Sequence, residues 1–411
     1  MSQSLRPISL PFSPIEVARK LCNHEGFAFL DSSMAGDKAV SILAARPLEI
    51  LSGSLYKDGV YLEEKLTSYQ LPVNGSIGPD GAAIGWIGYE GEFVFGIYRD
   101  LLIYCHDTGL WHEIGNLSAH FHAEASTAMQ PMAFEALMPQ DAFCKMVRRA
   151  KDYIAAGDIY QACLAYPFLC KKWTADSWAF YENFRKVSPA PHGTFLRLDG
   201  WEIMSGSPET FLNMQDRAIA TRPIKGTSAR HDNTEKDAAS ARELVASPKE
   251  AAELVMITDL ERNDLGRVCE YGSIRVKEML KLERFEQVFH LVSTVEGRLR
   301  PECTHLEALK ACFPGGSISG APKIRACEII AELEPFPRKI YTGAIGYFGF
   351  DGSSQFNIAI RTVVARDGQA SFHVGAGIVA DSVPEREWEE TLEKASGILK
   401  AAQGDIRARE I

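Results

Sequence analysis

The chain has 411 residues, with 46% hydrophobic and 24% charged residues, which is the balance of a globular enzyme long enough for two packed domains or one large one. A net charge of −10 argues against a nucleic-acid binder, and no apolar run approaches the ~18 residues needed to cross a bilayer. The 9 cysteines are scattered, odd in number and without a C-x-x-C pair, and MSQSLRPISLPFSP lacks the apolar core of a secretory signal, so reduced thiols in a cytoplasmic protein are expected.

Ser13 to about Asn23 places Ile15, Val17, Ala18 and Leu21 at helical spacing. Strands are expected at Phe27–Leu30 and around Ala39–Ala44 and Leu48–Ser52. Gly81–Glu90 (GAAIGWIGYE) reads as a packed strand meeting another backbone, because no helix clearly follows it as a phosphate loop requires. Between His120 and Ala142 the chain turns to small residues and methionine, the pattern of a surface linker. The expected division is an accessory, β-rich region over 1–135 and a catalytic domain over 136–411. The second part opens with a helix from Asp141 to about Ala156, stopped by Gly157-Asp158. A strand at Ile159–Leu169 carrying Gln161, a helix from Asp176 to about Val187, and strands at Thr194–Leu198 and Glu202–Met204 follow.

Ser205–Arg230 (SGSPETFLNMQDRAIATRPIKGTSAR) reads as a hairpin turning at Gln215-Asp216-Arg217. Its ends carry a carboxylic acid, Glu209, and an amine, Lys225, which a hairpin could bring to one pocket as proton donor and nucleophile. A surface hairpin with solvated charges satisfies the same pattern.

A helical region from Thr234 to about Asp264 puts Glu250 and Glu253 on one face, ordinarily a solvated face. Val288–Val295 is a β-branched run containing His290, a residue type most often satisfied within the core. Phe313–Lys323 (FPGGSISGAPK) is a glycine-rich turn opening a helix at Pro322, where anions can bind, although no Lys-Ser/Thr pair follows as in a P-loop. Gly343–Phe348, Ser354–Val364 and Ser371–Ala380 read as strands at hairpin spacing, with Tyr341 before the first and Arg361 on the second. The last helix is expected to start at a capping box, Ser382-Val383-Pro384-Glu385, with Trp388, Leu392, Ala395 and Leu399 as its apolar stripe. Glu387, Glu390 and Lys394 share a second face, and periodicity does not say which glutamates turn inward.

GDIYQ, SPE-x-F, RPIKGT, KEAAELVMITDLERNDLGRV, HLVSTVEG, FPGGSISGAPK, YTGAIGY, IAIRT, GAGIVADS and EREWEETLEKA occur in this order. Together they resemble the chorismate-utilising enzymes, which include anthranilate synthase component I, aminodeoxychorismate synthase component I, and the isochorismate and salicylate synthases. The likeness is strong from Asp141 to Ala402 and weaker before it, where FAFLDSS and GWIGYE look like the family's accessory region. The resemblance implies an α/β (α+β) fold of two large, mostly antiparallel sheets packed as a sandwich with helices outside. It also implies one Mg²⁺ holding a carboxylate of chorismate, with Glu253 and Glu390 as ligands and Glu250 and Glu387 one turn behind. Tyr341, Arg361 and Lys394 match substrate-carboxylate contacts, and Gly375 and Gly377 mark backbone that approaches the ligand. His290 and Thr227 of RPIKGT fall at pocket positions.

Two positions separate the branches of this family. Where the isochorismate and salicylate synthases carry a water-activating lysine, this chain has Gln161, which lacks basicity, so ammonia is the expected nucleophile. Where anthranilate synthases read PIAGT, this chain has the Lys225 of PIKGT, as aminodeoxychorismate synthases do. That branch is the expectation, with anthranilate synthase component I as the alternative. Lys225 would attack the ring with its pKa depressed by burial and Mg²⁺, and Glu209, its pKa raised by burial, would protonate the leaving hydroxyl. Ammonia would come from a glutamine amidotransferase subunit in a heterodimer, since no glutaminase nucleophile signature is present. The chain departs from the family at Ala162-Cys163 and at Ser228-Ala229-Arg230, and FAFLDSS differs from the leucine-rich signature tied to tryptophan feedback, so that inhibition is not expected.

Overall fold

Short runs of β-branched and aromatic residues, separated by glycine and turn residues, make strands the commonest element. In the computed structural model, which describes residues 5–34, 39–72, 77–122, 129–231, 233–285 and 288–403, they form antiparallel sheets of 12 and 10 strands. The larger runs in space as Arg6–Ile8, Leu110–Ile114, Leu101–Cys105, Val40–Ala44, Ala28–Asp31, His192–Leu198, Trp201–Ser207, Thr362–Arg366, Gln369–Ile378, Gln161–Cys170 and Gly320–Ala321. Glu135–Ala136 pairs beside Gln161–Cys170. The smaller runs as Ile224–Ala229, Val288–Arg298, Ala218–Arg222, Thr210–Gln215, Ser353–Ile358, Ala344–Gly349, Ala82–Ile87, Glu92–Tyr98 and Glu49–Ser54, with Arg275–Arg284 beside Val288–Arg298.

An apolar cluster that includes Ile42, Ile84, Trp86, Leu196, Ile203 and Ile345 draws on both sheets and so fills the space between them. A second cluster joins the larger sheet to the helices Pro14–Leu21, Gln140–Ala155, Ser177–Val187, Lys323–Leu333 and Pro384–Ala402. A third joins the smaller sheet to Pro248–Gly266 and His305–Cys312. The layering is the expected sandwich with helices outside. GWIGYE is glycine-rich because strands pass closely there: a Cβ on Gly85 would stand 1.9 Å from the carbonyl oxygen of Val94.

The division expected near residue 135 runs through both sheets. Phe29 sits opposite Phe195 in the larger, and Gly85 opposite Gly346 in the smaller. Residues 123–128 of the expected linker lie outside the described residues. Among the described residues no helix is long and apolar enough to cross a membrane, and all 9 cysteines are free thiols.

Three expectations need correction. The helix expected over Thr234–Asp264 is two helices, Thr234–Ala246 and Pro248–Gly266. Ser247 caps the second by accepting from the N–H of Glu250 at 3.3 Å, and proline suits the first helical position. The strand expected at Ser354–Val364 is also two. Ser353–Ile358 belongs to the smaller sheet and Thr362–Arg366 to the larger, and Arg361 takes the turn between them with φ of 49°. The last helix has no capping box: Val383 is its N-cap, and Glu385 pairs instead with Arg148 at 2.8 Å. Its buried face is Thr391, Ala395, Ile398 and Ala402, while Leu392 is 40% exposed, because the helix packs against two others as well as the sheet.

Candidate active site

The hairpin forms as expected. Thr210–Gln215 pairs with Ala218–Arg222, and Asp216 takes the turn at φ 52°. Because Thr210 lies opposite Arg222, Glu209 and the segment after Pro223 leave the same end. That segment re-enters the sheet beside Val288–Arg298, with Lys225 opposite Leu291 and Thr227 opposite His290. Glu209, Lys225, Thr227 and His290 all line one cavity of about 550 Å³.

The cavity lies where the end of the smaller sheet meets strand Gln369–Ile378 of the larger. The helices Pro248–Gly266 and Pro384–Ala402 bring Glu250 and Glu253, and Glu390 and Lys394, to its walls. Tyr341, Arg361, Gly375 and Gly377 complete the expected set there. Two expected residues stand behind the wall. Gln161 is fully buried, yet a Cβ on Gly377 would lie 2.8 Å from its Nε2 and 3.6 Å from Lys225 Nζ, so only the bare backbone of Gly377 keeps that space open. Gln161 Nε2 donates to Cys163 Sγ at 3.6 Å, and its Oε1 has no hydrogen-bond partner among the described residues. Glu387 is 5% exposed and does not line the cavity; its carboxyl is hydrogen-bonded to Ser382.

The electrostatics divide these groups. Burial holds the Glu209 carboxyl above its ordinary value, against the pull of a Ser317 hydrogen bond and of Lys225. The depressed amine expected at Lys225 is not found. Burial pulls the ammonium down, but Cys163, Glu253, Glu209 and Glu390 together outweigh it, and the group lies above its ordinary value. Its Nζ is 4.0 Å from Glu253. Burial, then the neighbouring Glu253, pushes Glu250 up. Burial also works against Glu390, but its ion pair with Lys394 at 2.7 Å and the charges of Lys249 and Lys225 bring that carboxyl below its ordinary value. His290 is driven down to about 4 by burial and then by Arg361, and its Nδ1 lies 2.9 Å from Thr227 Oγ1. It is therefore neutral at physiological pH.

Arg361 makes no ion pair among the described residues, and burial alone lowers its pKa. A cation facing a cavity without a carboxylate of its own suits an anionic ligand. Beside it Tyr341 stacks on His373 with ring centroids 5.1 Å apart, and Lys394 donates to the carbonyl of Gly375 at 3.0 Å. No three His, Cys, Asp or Glu side chains among the described residues converge closely enough to hold a metal alone.

Sequence reasoning missed the frame around this cavity. Arg338, 2% exposed, pairs with Glu334 at 2.6 Å and donates to the carbonyls of Cys163 at 2.6 Å and Ile318 at 3.2 Å. Glu334 in turn accepts from the N–H of Ala165 at 2.8 Å. The pair is hard to read because Pro335 and Pro337 break the helix between its members. Removing one partner strands the other charge, so Arg338→Ala should lower unfolding free energy by about 3–5 kcal/mol in urea titration. The turn expected as an anion site is internally tied instead: Lys323 pairs with Asp264 and donates to the carbonyls of Cys312 and Pro314 at 2.8 and 2.7 Å.

Residues 85–400 match the family described as chorismate binding enzyme. The chain is 43% identical over 284 residues to aminodeoxychorismate synthase component 1 of Bacillus subtilis, covering 68% of this chain and 60% of that protein. It is 47% identical over 270 residues to anthranilate synthase component 1 of Thermus thermophilus, covering 66% and 58%. It thus spans about three fifths of the length of these curated relatives. Its fold is similar to the crystal structure of anthranilate synthase component I from Streptococcus pneumoniae, with a TM-score of 0.78 at 30% identity over 88% of this chain and 92% of that one. The matched stretch contains every residue of the cavity wall, and this chain belongs to the chorismate binding enzymes.

Proposed function

We propose that this protein makes 4-amino-4-deoxychorismate from chorismate and ammonia, toward para-aminobenzoate and folate, with the ammonia supplied by a glutamine amidotransferase subunit. The observation that carries this reading is Lys225 in the same cavity as Glu209, with its Nζ close behind the bare backbone of Gly377. Arg361, Tyr341 and Lys394 hold the substrate carboxylates. Gln161 lacks the basicity to activate water, which leaves ammonia as the nucleophile.

Lys225, once neutral, bonds to C2 of chorismate. Both conjugated ring double bonds shift, C1=C2 to C1=C6 and C5=C6 to C4=C5, the C4–O bond breaks, and Glu209 gives its proton to the hydroxyl, which leaves as water. Ammonia then bonds to C4, both double bonds shift back, and the C2–N bond breaks with its electron pair returning to Lys225. The proton shed by the new amine restores the acid form of Glu209. Two displacements leave the amino group on the face the hydroxyl occupied.

The donor set fits Mg²⁺. Glu253 and Glu390 offer hard oxygens from two helices to one cavity, short of a closed site, which leaves positions for a substrate carboxylate and waters. Glu250 lies beside them, and Glu387 would act from behind the wall. When bound, the ion would neutralise two of the carboxylates that hold the proton on Lys225. Glu390→Gln should raise the Mg²⁺ concentration for half-maximal turnover at least about tenfold; an unchanged requirement in an ammonium assay would remove Glu390 from the ligand set.

The comparable likeness to anthranilate synthase component 1 favours a second reading, in which ammonia adds at C2 and Lys225 is a spectator. Incubation with chorismate, Mg²⁺ and ammonium, followed by mass and retention-time identification, separates the two. Aminodeoxychorismate is the expected product, and anthranilate alone overturns the first reading.

A further inference from the structure

Between helix Lys323–Leu333 and strand Ala344–Gly349 the chain makes a turn that presents Tyr341 and Thr342 to the cavity. Two residues of that turn, Lys339 and Thr342, take left-handed backbone at φ 54° and 60°. Neither is glycine, and a β-branched threonine resists that conformation, so the turn keeps its shape only where its surroundings impose it. Tyr341 depends on that shape. Its hydroxyl stands over Gly375, where a Cβ would come within 3.0 Å of it, and the carbonyl of Gly375 accepts from Lys394.

The surroundings come from an early hairpin. Strands Ala82–Ile87 and Glu92–Tyr98 are joined by a turn over 88–91, whose Gly91 takes φ 93°. From this turn the N–H of Tyr89 donates to the carbonyl of Lys339 at 2.6 Å, and Glu90 Oε1 accepts from the N–H of Arg338 at 3.1 Å. Both bonds fall at the first left-handed residue or beside it. The Arg338 guanidinium lies over the Tyr89 ring, 4.7 Å from its centroid, and 5.9 Å from that of Tyr341. Its Nη1 donates to Thr342 Oγ1 at 3.2 Å, so one cation links the Tyr89 ring to the second left-handed residue. Neither Tyr89 nor Glu90 lines the cavity, and the Glu90 side chain is exposed.

We propose that Tyr89 and Glu90, from the region expected to be accessory, are positioning residues for chorismate. They hold the turn over 338–343 in the one shape that keeps the Tyr341 hydroxyl over Gly375, beside Lys394. The proposal rests on Tyr341 as a contact of the substrate carboxylates, and it holds for amination at either ring position. A carboxylate contact is made alike before and during the chemistry, so loosening it weakens binding and spares the chemical step.

The test is a KM-against-kcat split in the ammonium-dependent reaction. The double variant Tyr89→Leu/Glu90→Ala should raise KM for chorismate at least about tenfold while kcat stays within about threefold. The conservative pair Tyr89→Phe/Glu90→Gln keeps a ring over the guanidinium and an acceptor for the Arg338 N–H, and should stay within about twofold of wild type in both constants. A merely structural hairpin behaves otherwise: its loss lowers the active fraction, so kcat falls and KM does not move. An unmoved KM in the double variant, or a rise that the conservative pair shares, overturns the proposal. An unchanged KM in Tyr341→Phe is a different outcome and removes the carboxylate role of Tyr341 itself. Should the double variant not fold, Glu90→Ala alone decides, being a change at an exposed side chain. A rise in KM of about threefold that Glu90→Gln abolishes supports the positioning role, and an unmoved KM overturns it.

Discussion

Lys225→Ala should lower amination of chorismate at C4 by at least about a hundredfold, a barrier increase of at least ~2.7 kcal/mol. The alanine leaves Glu209, Glu253 and Glu390 in place but removes the amine that lines the cavity with Glu209. Lys225→Arg is the informative companion. It keeps a positive charge among the carboxylates but supplies no neutral amine near neutral pH, so it should be as inactive as alanine. Restored turnover in the arginine variant would assign Lys225 an electrostatic role. Undiminished C4 amination in the alanine variant would reject the covalent route.

Glu209→Gln should reduce turnover by about 10²–10⁴-fold, the range for losing a positioned acid, with little change in chorismate binding. Its stability should move the other way. Burial raises the Glu209 pKa in the folded state, so the stability this proton contributes is fully present below the unfolded value and is lost as pH rises through the folded one. Glutamine is neutral throughout, so the variant should melt higher than wild type on the alkaline side of that window and similarly below it. Thermal unfolding at matched pH values checks this. Equal melting curves at every pH would mean that Glu209 carries no raised proton affinity. His290, driven down to about 4, stays neutral across the working range and adds no limb of its own.

Much of this site was readable because local rules and tertiary structure agree along the hairpin. Apolar runs on each side of Gln215-Asp216-Arg217 predict the pairing, and the pairing brings Glu209 and Lys225 to one end. The glutamate helices were legible as faces only. What puts Glu253 and Glu390 on the cavity wall and leaves Glu387 off it is how each helix packs, which periodicity does not carry. Breaks were harder still. Ser247-Pro248 reads as a helix start only once the preceding helix is known to have ended. The switch at Arg361 interrupts a run of β-formers with no glycine or proline to mark it. The upward shift at Lys225 could not be foreseen, because it depends on carboxylates from separate helices and on a thiol from another strand.

The threading of early strands among late ones has a consequence for how the molecule is made. Phe29 must wait for Phe195, and Gly85 for Gly346, before either sheet can close around its core. At ribosomal rates of about 5–20 residues per second, the first strands emerge many seconds before their partners. Throughout that interval they present open edges to solvent. The nascent chain therefore needs shelter until it is nearly complete, and a message truncated late in the reading frame would yield an aggregating product, not a smaller working enzyme.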